Sequence, residues 1–138
     1  MKNKIPYQYF ITKGFGESDI AIHAGSYHLS LKKAGIEKYN IMTYSSILPK
    51  EAEEIAYTDN LSFGSVMDTI MSSCSGNKGE LLCAGIGIGF LYDKNGNKYG
   101  GLVVEHNGSY NNDEIHYKLN ASLNENISRV SMSRCVKN

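Results

Sequence analysis

The C-terminal third of the chain has the clearest periodic pattern of hydrophobic residues. Four apolar side chains recur at every fourth position, which places them on one face of a helix: Ile115, Leu119, Leu123 and Ile127. The pattern predicts a helix over residues 112–129. Asn111 and Glu114 have the spacing of a capping box, so the helix is predicted to begin beside Asn111.

A second pattern alternates glycine with isoleucine inside an apolar run. The segment Gly85-Ile86-Gly87-Ile88-Gly89 predicts a strand within residues 81–92, with its three glycines on one side. That side must lie flush against another backbone or a helix, because it carries no side chains. Residues 93–97 have turn composition, and residues 99–105 predict the returning strand of a hairpin.

Shorter patterns predict the remaining elements. A helix is predicted at 26–34, with Gly35 as its stop, and residues 65–71 favour a strand but would also suit one helix face. The other predicted segments are a strand at 7–12, a glycine-marked loop at 13–19, a strand at 40–44, an acidic loop at 51–54 and a last strand at 130–136. Pro49 cannot donate to a sheet, so the strand ends or changes partner there. These elements together predict an α+β layered sandwich.

Composition restricts the class of protein. The chain has 138 residues, the size of one domain, and its 14 Lys and Arg balance 14 Asp and Glu. A neutral chain lacks the clustered cations that nucleic acid demands, and no apolar run is long enough to span a membrane. The first residues lead into tyrosines rather than a hydrophobic signal core, so we expect a cytoplasmic protein. Three cysteines without CxxC spacing indicate neither a zinc site nor a disulfide framework.

Few polar residues have the spacing of a known site. The four histidines lack metal-ligand spacing, and no phosphate-binding or hydrolase motif occurs, so we expect no metal. Glu105 follows the apolar run Leu102-Val103-Val104. A carboxyl group there is either solvated at the tip of a strand or held protonated by apolar neighbours. Position alone favours the solvated tip.

The doublet Ser45-Ser46 has two interpretations. Serine pairs are common in turns, which is the ordinary one. A strained Ser-Ser peptide can also cleave itself: the Ser46 hydroxyl attacks the Ser45 carbonyl, and β-elimination leaves residue 46 as dehydroalanine, which hydrolyses to a pyruvoyl group. The pattern alone leaves both interpretations open.

Several motifs in this order are familiar as a set. The most specific stretch contains Ala34-Gly35-Ile36-Glu37, Asn40-Ile41 and Tyr44-Ser45-Ser46-Ile47-Leu48-Pro49. The others are Gly16-Glu17-Ser18-Asp19, the alternating glycine segment, Asp93-Lys94-Asn95-Gly96, Gly100-Gly101, Glu105 and Asn112-Asp113-Glu114-Ile115. Together they resemble the pyruvoyl-dependent arginine decarboxylases over nearly the whole chain, with a C-terminus shorter than is usual in that family.

The resemblance implies a proenzyme that cleaves itself between Ser45 and Ser46. The products would be a β chain, residues 1–45, and an α chain, residues 46–138, whose first residue becomes a covalent pyruvoyl cofactor. The implied fold is a single-domain four-layer αββα sandwich, assembled as a homotrimer or a dimer of trimers with active sites between subunits. The implied reaction is decarboxylation of arginine to agmatine. Polyamine supply and acid resistance are both compatible with the family.

The resemblance also assigns roles to individual residues. Asn40 matches an asparagine implicated in the cleavage step, and Glu105 matches the proton donor. Leu31 and Ile47 match apolar residues that line the pocket. Where the family has an aspartate that pairs with the positive end of arginine, this chain has His28. Imidazole cannot replace a carboxylate as a guanidinium partner.

The His28 difference leaves two further hypotheses open. In the first, the decarboxylation chemistry is kept and the substrate is another amino acid, because imidazole can accept a hydrogen bond or, when charged, pair with an acidic side chain. In the second, the chain is an unprocessed, non-catalytic relative that binds a small molecule.

Overall fold

Helices and strands are mixed along the chain. The computed structural model describes residues 4–19, 23–130 and 136–137. Within them, the helices are α1, His23–Ala34, and α2, Asn112–Val130. The strands are β1, Gln8–Tyr9; β2, Asn40–Thr43; β3, Ile47–Pro49; β4, Glu53–Glu54; β5, Val66–Thr69; β6, Cys83–Tyr92; β7, Lys98–Gly108; and β8, Val136–Lys137. The predicted α+β class is confirmed. The four-layer sandwich and the trimer stay predictions.

One compact unit contains a four-stranded sheet with the order β3-β7-β6-β8, together with α2. Its centre is the antiparallel hairpin of β6 and β7, in which Ile86 lies opposite Glu105. The predicted turn joins the two strands. The Asp93 carboxylate accepts hydrogen bonds from the backbone N–H groups of Asn95 and Asn97, each at 2.9 Å, and Gly96 adopts a φ of 82°. A local Asx turn therefore sets the hairpin, as turn composition predicted.

Helix α2 packs on the glycine side of β6, as the alternating pattern predicted. A Cβ atom added at Gly87 would lie 3.1 Å from side-chain atoms of both Leu123 and Val104, tighter than nine in ten real Cβ contacts. A Cβ atom added at Gly85 or Gly89 would meet side chains of the same helix face at similar distances. The buried core between sheet and helix consists of Leu91, Leu102, Val104, Ile115, Leu119 and Ile127. The three glycines thus let the helix approach the strand closely.

The start of α2 has the predicted capping box. The Asn111 side-chain oxygen accepts a hydrogen bond from the Glu114 N–H at 2.8 Å, and the Glu114 carboxylate accepts one from the Asn111 N–H at 3.0 Å. Each side chain satisfies a backbone donor that the first turn leaves unpaired. The helix therefore begins where the sequence predicted.

The second compact unit comprises Tyr7–Met42 and Glu53–Thr69. It contains α1 and two small sheets, in which β1 pairs with β4 in parallel and β2 pairs with β5. Ala34, Ile36 and Tyr39 form its buried core. Gly35 ends α1 with a φ of 78°, a left-handed conformation that favours glycine, and the predicted stop is confirmed.

Several predicted boundaries were wrong. The predicted strand at 7–12 shortens to β1, and β4 lies inside the predicted acidic loop. Helix α1 begins three residues before the predicted 26, and β7 continues three residues beyond the predicted 105. The ambiguous segment at 65–71 forms the strand β5, and most of the predicted last strand lies outside the described residues. Neither helix in the described part of the chain is long and apolar enough to cross a membrane.

Candidate active site

The Ser45-Ser46 doublet lies immediately before β3, at the edge of the four-stranded sheet. Strand β3 pairs antiparallel with β7, with Ile47 opposite Leu102. The Val103 N–H continues this ladder by donating to the Ser46 carbonyl oxygen at 2.9 Å. Ser46 is therefore held beside Val103 at the last rung between the two strands.

The Ser46 hydroxyl contacts Glu105. The O–H group donates to the Glu105 carboxylate oxygen Oε1 at an O···O distance of 3.1 Å, although 59 positions separate the two residues in sequence. The contact follows from the register, because alternate residues of a strand point to the same face. Val103 and Glu105 share the face that Ser46 joins, so Glu105 is the diagonal neighbour of Ser46 across the ladder. The arrangement places a carboxylate, which can accept a proton, within hydrogen-bond distance of a serine hydroxyl.

Glu105 is an exposed residue, but it does not lie at a strand tip. Strand β7 continues to Gly108, so the predicted tip position was wrong. Val103, on the same face, is only 3% exposed. The alternative expectation, an apolar environment around this carboxyl group, stays a prediction.

A cleft of about 540 Å³ opens at this sheet edge. The cleft is lined by Ser46, Ile47, residues 102–106, Ser122 and Asn126. Within it the His106 ring nitrogen Nε2 lies 2.6 Å from the Ser122 hydroxyl oxygen, which joins β7 to α2. Sequence reasoning missed this pair. The only available signal was the alternation along β7, which puts His106 on the face that α2 covers.

Asn40, Leu31 and His28 belong to the second unit. The Asn40 side-chain amide donates to the Gly64 carbonyl oxygen at 2.7 Å, and its backbone N–H donates to Ser65 at 2.9 Å. Leu31 packs against the core around Ala34 rather than standing free. His28 is exposed on α1. The roles of these three residues stay predictions.

A family model described as pyruvoyl-dependent arginine decarboxylase matches residues 8–134 of this chain. That range includes most of both compact units and both members of the Ser46–Glu105 contact. The chain belongs to the pyruvoyl-dependent arginine decarboxylase family.

Individual relatives agree with this assignment. The chain is 33% identical over 127 residues to the pyruvoyl-dependent arginine decarboxylase of Methanocella arvoryzae, covering 89% of this chain and 74% of the relative. It is 31% identical over 110 residues to that of Picrophilus torridus, covering 77% of this chain and 58% of the relative. It is 31% identical over 121 residues to a probable pyruvoyl-dependent arginine decarboxylase of Chlorobaculum parvum, covering 79% of this chain and 65% of the relative. The last two matches thus span less than two thirds of the relatives.

Among the described residues, no group of three or more His, Cys, Asp or Glu side chains could hold a metal ion. The residues at the sheet edge fit a pyruvoyl group at position 46. The serine that would supply its carbon atoms is in place, and its hydroxyl is directed at a carboxylate that can exchange protons with it.

Proposed function

We propose that this chain is a self-processing amino acid decarboxylase that converts arginine to agmatine and carbon dioxide. The observation that carries the proposal is the hydrogen bond from the Ser46 hydroxyl to Glu105 in the uncleaved chain. Membership of the family supplies the reaction class. The doublet is then a cleavage site rather than an ordinary turn.

The first reaction is cleavage between Ser45 and Ser46. Glu105 takes the hydroxyl proton while the Ser46 oxygen bonds to the Ser45 carbonyl carbon. The bond from that carbon to the Ser46 nitrogen breaks, Glu105 returns the proton to the nitrogen, and an ester replaces the amide. Loss of the Ser46 α-proton and cleavage of the ester Cβ–O bond release residues 1–45 as a carboxylate. Water then replaces the nitrogen as ammonia, which leaves a pyruvoyl group on residues 46–138.

In the second reaction, decarboxylation, the Glu105 carboxyl group donates a proton instead of accepting one. The pyruvoyl ketone supplies an electron sink that stabilises the negative charge left when carbon dioxide departs. Glu105 delivers a proton to the substrate α-carbon. The exposed Ile47 side chain, 66% accessible, offers apolar surface at the entrance of the cleft.

Assembly as a homotrimer or a dimer of trimers is part of the proposal. Glu105 is exposed in one chain, whereas a proton donor to carbon works best where water is excluded. A neighbouring subunit that covered the cleft would supply that enclosure, in agreement with active sites between subunits. Light scattering of the purified protein tests the assembly.

Intact-mass measurement of the purified protein tests the cleavage. We expect two fragments, produced by cleavage before residue 46. The mass of the larger fragment should be one ammonia less than that of residues 46–138 with an unmodified N-terminal serine. Ser46→Ala should give a single uncleaved species, because it lacks the attacking hydroxyl. Ser73→Ala, on an exposed loop residue, is the matched control and should cleave normally. A wild-type chain that stays intact would contradict the proposal and favour the non-catalytic binding protein.

A second candidate keeps the reaction and changes the substrate. It is favoured by His28, which places an imidazole rather than a carboxylate on the exposed face of α1. Carbon dioxide release from the cleaved protein, measured over a panel of basic, polar and acidic amino acids, separates the candidates. Turnover of arginine above all others supports the first. Turnover of a polar or acidic amino acid, with arginine inactive, supports the second.

A further inference from the structure

The scissile carbonyl group has a hydrogen-bond donor of its own. The Ile47 backbone N–H donates to the Ser45 carbonyl oxygen at 2.9 Å. This bond spans three residues and centres on Ser46. No described non-glycine residue has a positive φ, so the turn is an inverse γ-turn. The carbonyl that Ser46 would attack is therefore already hydrogen-bonded before any reaction.

The direction of the Ile47 N–H is fixed by the sheet. In an antiparallel ladder, pairs that exchange hydrogen bonds alternate with pairs that do not. The bond from Val103 to Ser46 makes those two residues a bonded pair, so the next pair, Ile47 and Leu102, is a non-bonded one. The Ile47 N–H consequently points away from β7, toward the Ser45 carbonyl. Register, rather than a flexible side chain, positions this donor.

We infer that the Ile47 N–H is the oxyanion donor of the self-cleavage reaction, an inference that rests on the proposed function. As the Ser46 oxygen bonds to the Ser45 carbonyl carbon, the carbonyl π electrons move onto its oxygen. A hydrogen bond to a charged oxygen is shorter and stronger than one to a neutral oxygen, so the donor stabilises the intermediate more than the starting peptide. The electron pair then returns to restore C=O while the bond to the Ser46 nitrogen breaks.

Three backbone or side-chain contacts at the scissile peptide then have separate roles. The Glu105 carboxylate accepts the hydroxyl proton of Ser46, and the Ile47 N–H stabilises the Ser45 carbonyl oxygen. The Val103 N–H holds the Ser46 carbonyl oxygen on the other side of that residue. All three contacts come from two adjacent strands. The chain therefore needs correct pairing of β3 with β7 before it can cleave, which ties cleavage to folding.

A full-length semisynthetic chain tests the inference. Replacing the Ile47 N–H with an ester oxygen removes the donor and keeps the side chain. The matched control places the ester at Leu48, whose N–H belongs to a bonded pair, so it removes one rung of the β3–β7 ladder instead. Cleavage after folding is followed by intact mass. We expect the Ile47 ester to cleave about a hundredfold more slowly than wild type, the usual effect of losing one oxyanion donor, and the Leu48 ester to stay within about threefold.

Equal rates for the two esters would overturn the inference while leaving the proposed function intact. A wild-type semisynthetic chain that fails to cleave would contradict the proposed function instead. An infrared measurement checks the hydrogen bond independently of any reaction. In full-length Ser46→Ala carrying a ¹³C,¹⁸O label at the Ser45 carbonyl, the carbonyl band should move to higher frequency when the Ile47 N–H is replaced. An unchanged band would show that the bond is absent and would overturn the inference.

Discussion

The two faces of the four-stranded sheet have different roles, one in stability and one in chemistry. The helix face, which includes the three alternating glycines, Leu102 and Val104, is covered by α2 and contains most of that unit's buried side chains. The serine face, defined by Ser46, Leu48, Val103 and Glu105, carries the reactive contact. Strand β7 contributes to both faces, because alternate residues of a strand point to opposite sides of the sheet. A change of one residue in register would exchange their roles.

The difference teaches how a small chain can position a reactive peptide rigidly. Burial of apolar side chains under α2 fixes the hairpin, and the hairpin then fixes the register of β3 against β7. Glu105 takes no part in that burial, being exposed, so its carboxylate is available for chemistry. Substitutions on the helix face should therefore alter stability, whereas substitutions of the polar residues on the serine face, Ser46 and Glu105, should alter rates.

Glu105→Gln should produce the largest effect. The amide cannot accept the Ser46 proton or return one to carbon, so we expect slower chain cleavage and carbon dioxide release reduced by about a hundredfold or more. The melting temperature should stay unchanged because Glu105 is exposed. Asn107→Ala, two residues along the same face, is the matched control. Undiminished release of carbon dioxide by Glu105→Gln would remove this residue from its role.

Much of the helix face could be predicted from sequence. Its determinants are local and periodic: apolar residues at every fourth position in α2, glycines at every second position in β6, and a capping box that spans four residues. Each of these patterns reports the geometry of a single element. The glycine side was accordingly predicted to lie against a helix or backbone, and α2 covers it.

The serine face could not be predicted in the same way. The contact between Ser46 and Glu105 depends on the register of β3 against β7, which no local pattern in either strand specifies. Glu105 looked like a strand tip because the apolar run ends before it, yet pairing with β6 extends β7 to Gly108. Family resemblance identified both residues, but it gave neither their contact nor the Ile47 donor.

Gly87→Val should produce the second largest effect, on stability. The added side chain would meet Leu123 and Val104 at distances that require α2 to move, which costs about 1–3 kcal/mol in the free energy of unfolding. The measurement is denaturant unfolding in a Ser46→Ala background, so that a single uncleaved chain unfolds. Ala84→Val adds the same kind of bulk at an exposed position of β6 and is the control. Equal stabilities for the two variants would show that the helix face is not closely packed.

Asn111→Ala should produce the smallest effect, and it separates helix stability from chemistry. The substitution removes the acceptor for the Glu114 N–H and costs about 1 kcal/mol in the free energy of unfolding. Asn120→Ala, an exposed residue inside α2, is the control and should raise stability slightly, because alanine has the higher helix propensity. In the Ser46→Ala background, the two substitutions should therefore change the free energy of unfolding in opposite directions. In chains that retain Ser46, both should cleave at the wild-type rate, because the hydrogen bonds at the scissile peptide come from Ile47, Val103 and Glu105, which lie outside α2. Slower cleavage in Asn111→Ala alone would mean that the first turn of α2 holds the register of β3 as well as covering the helix face.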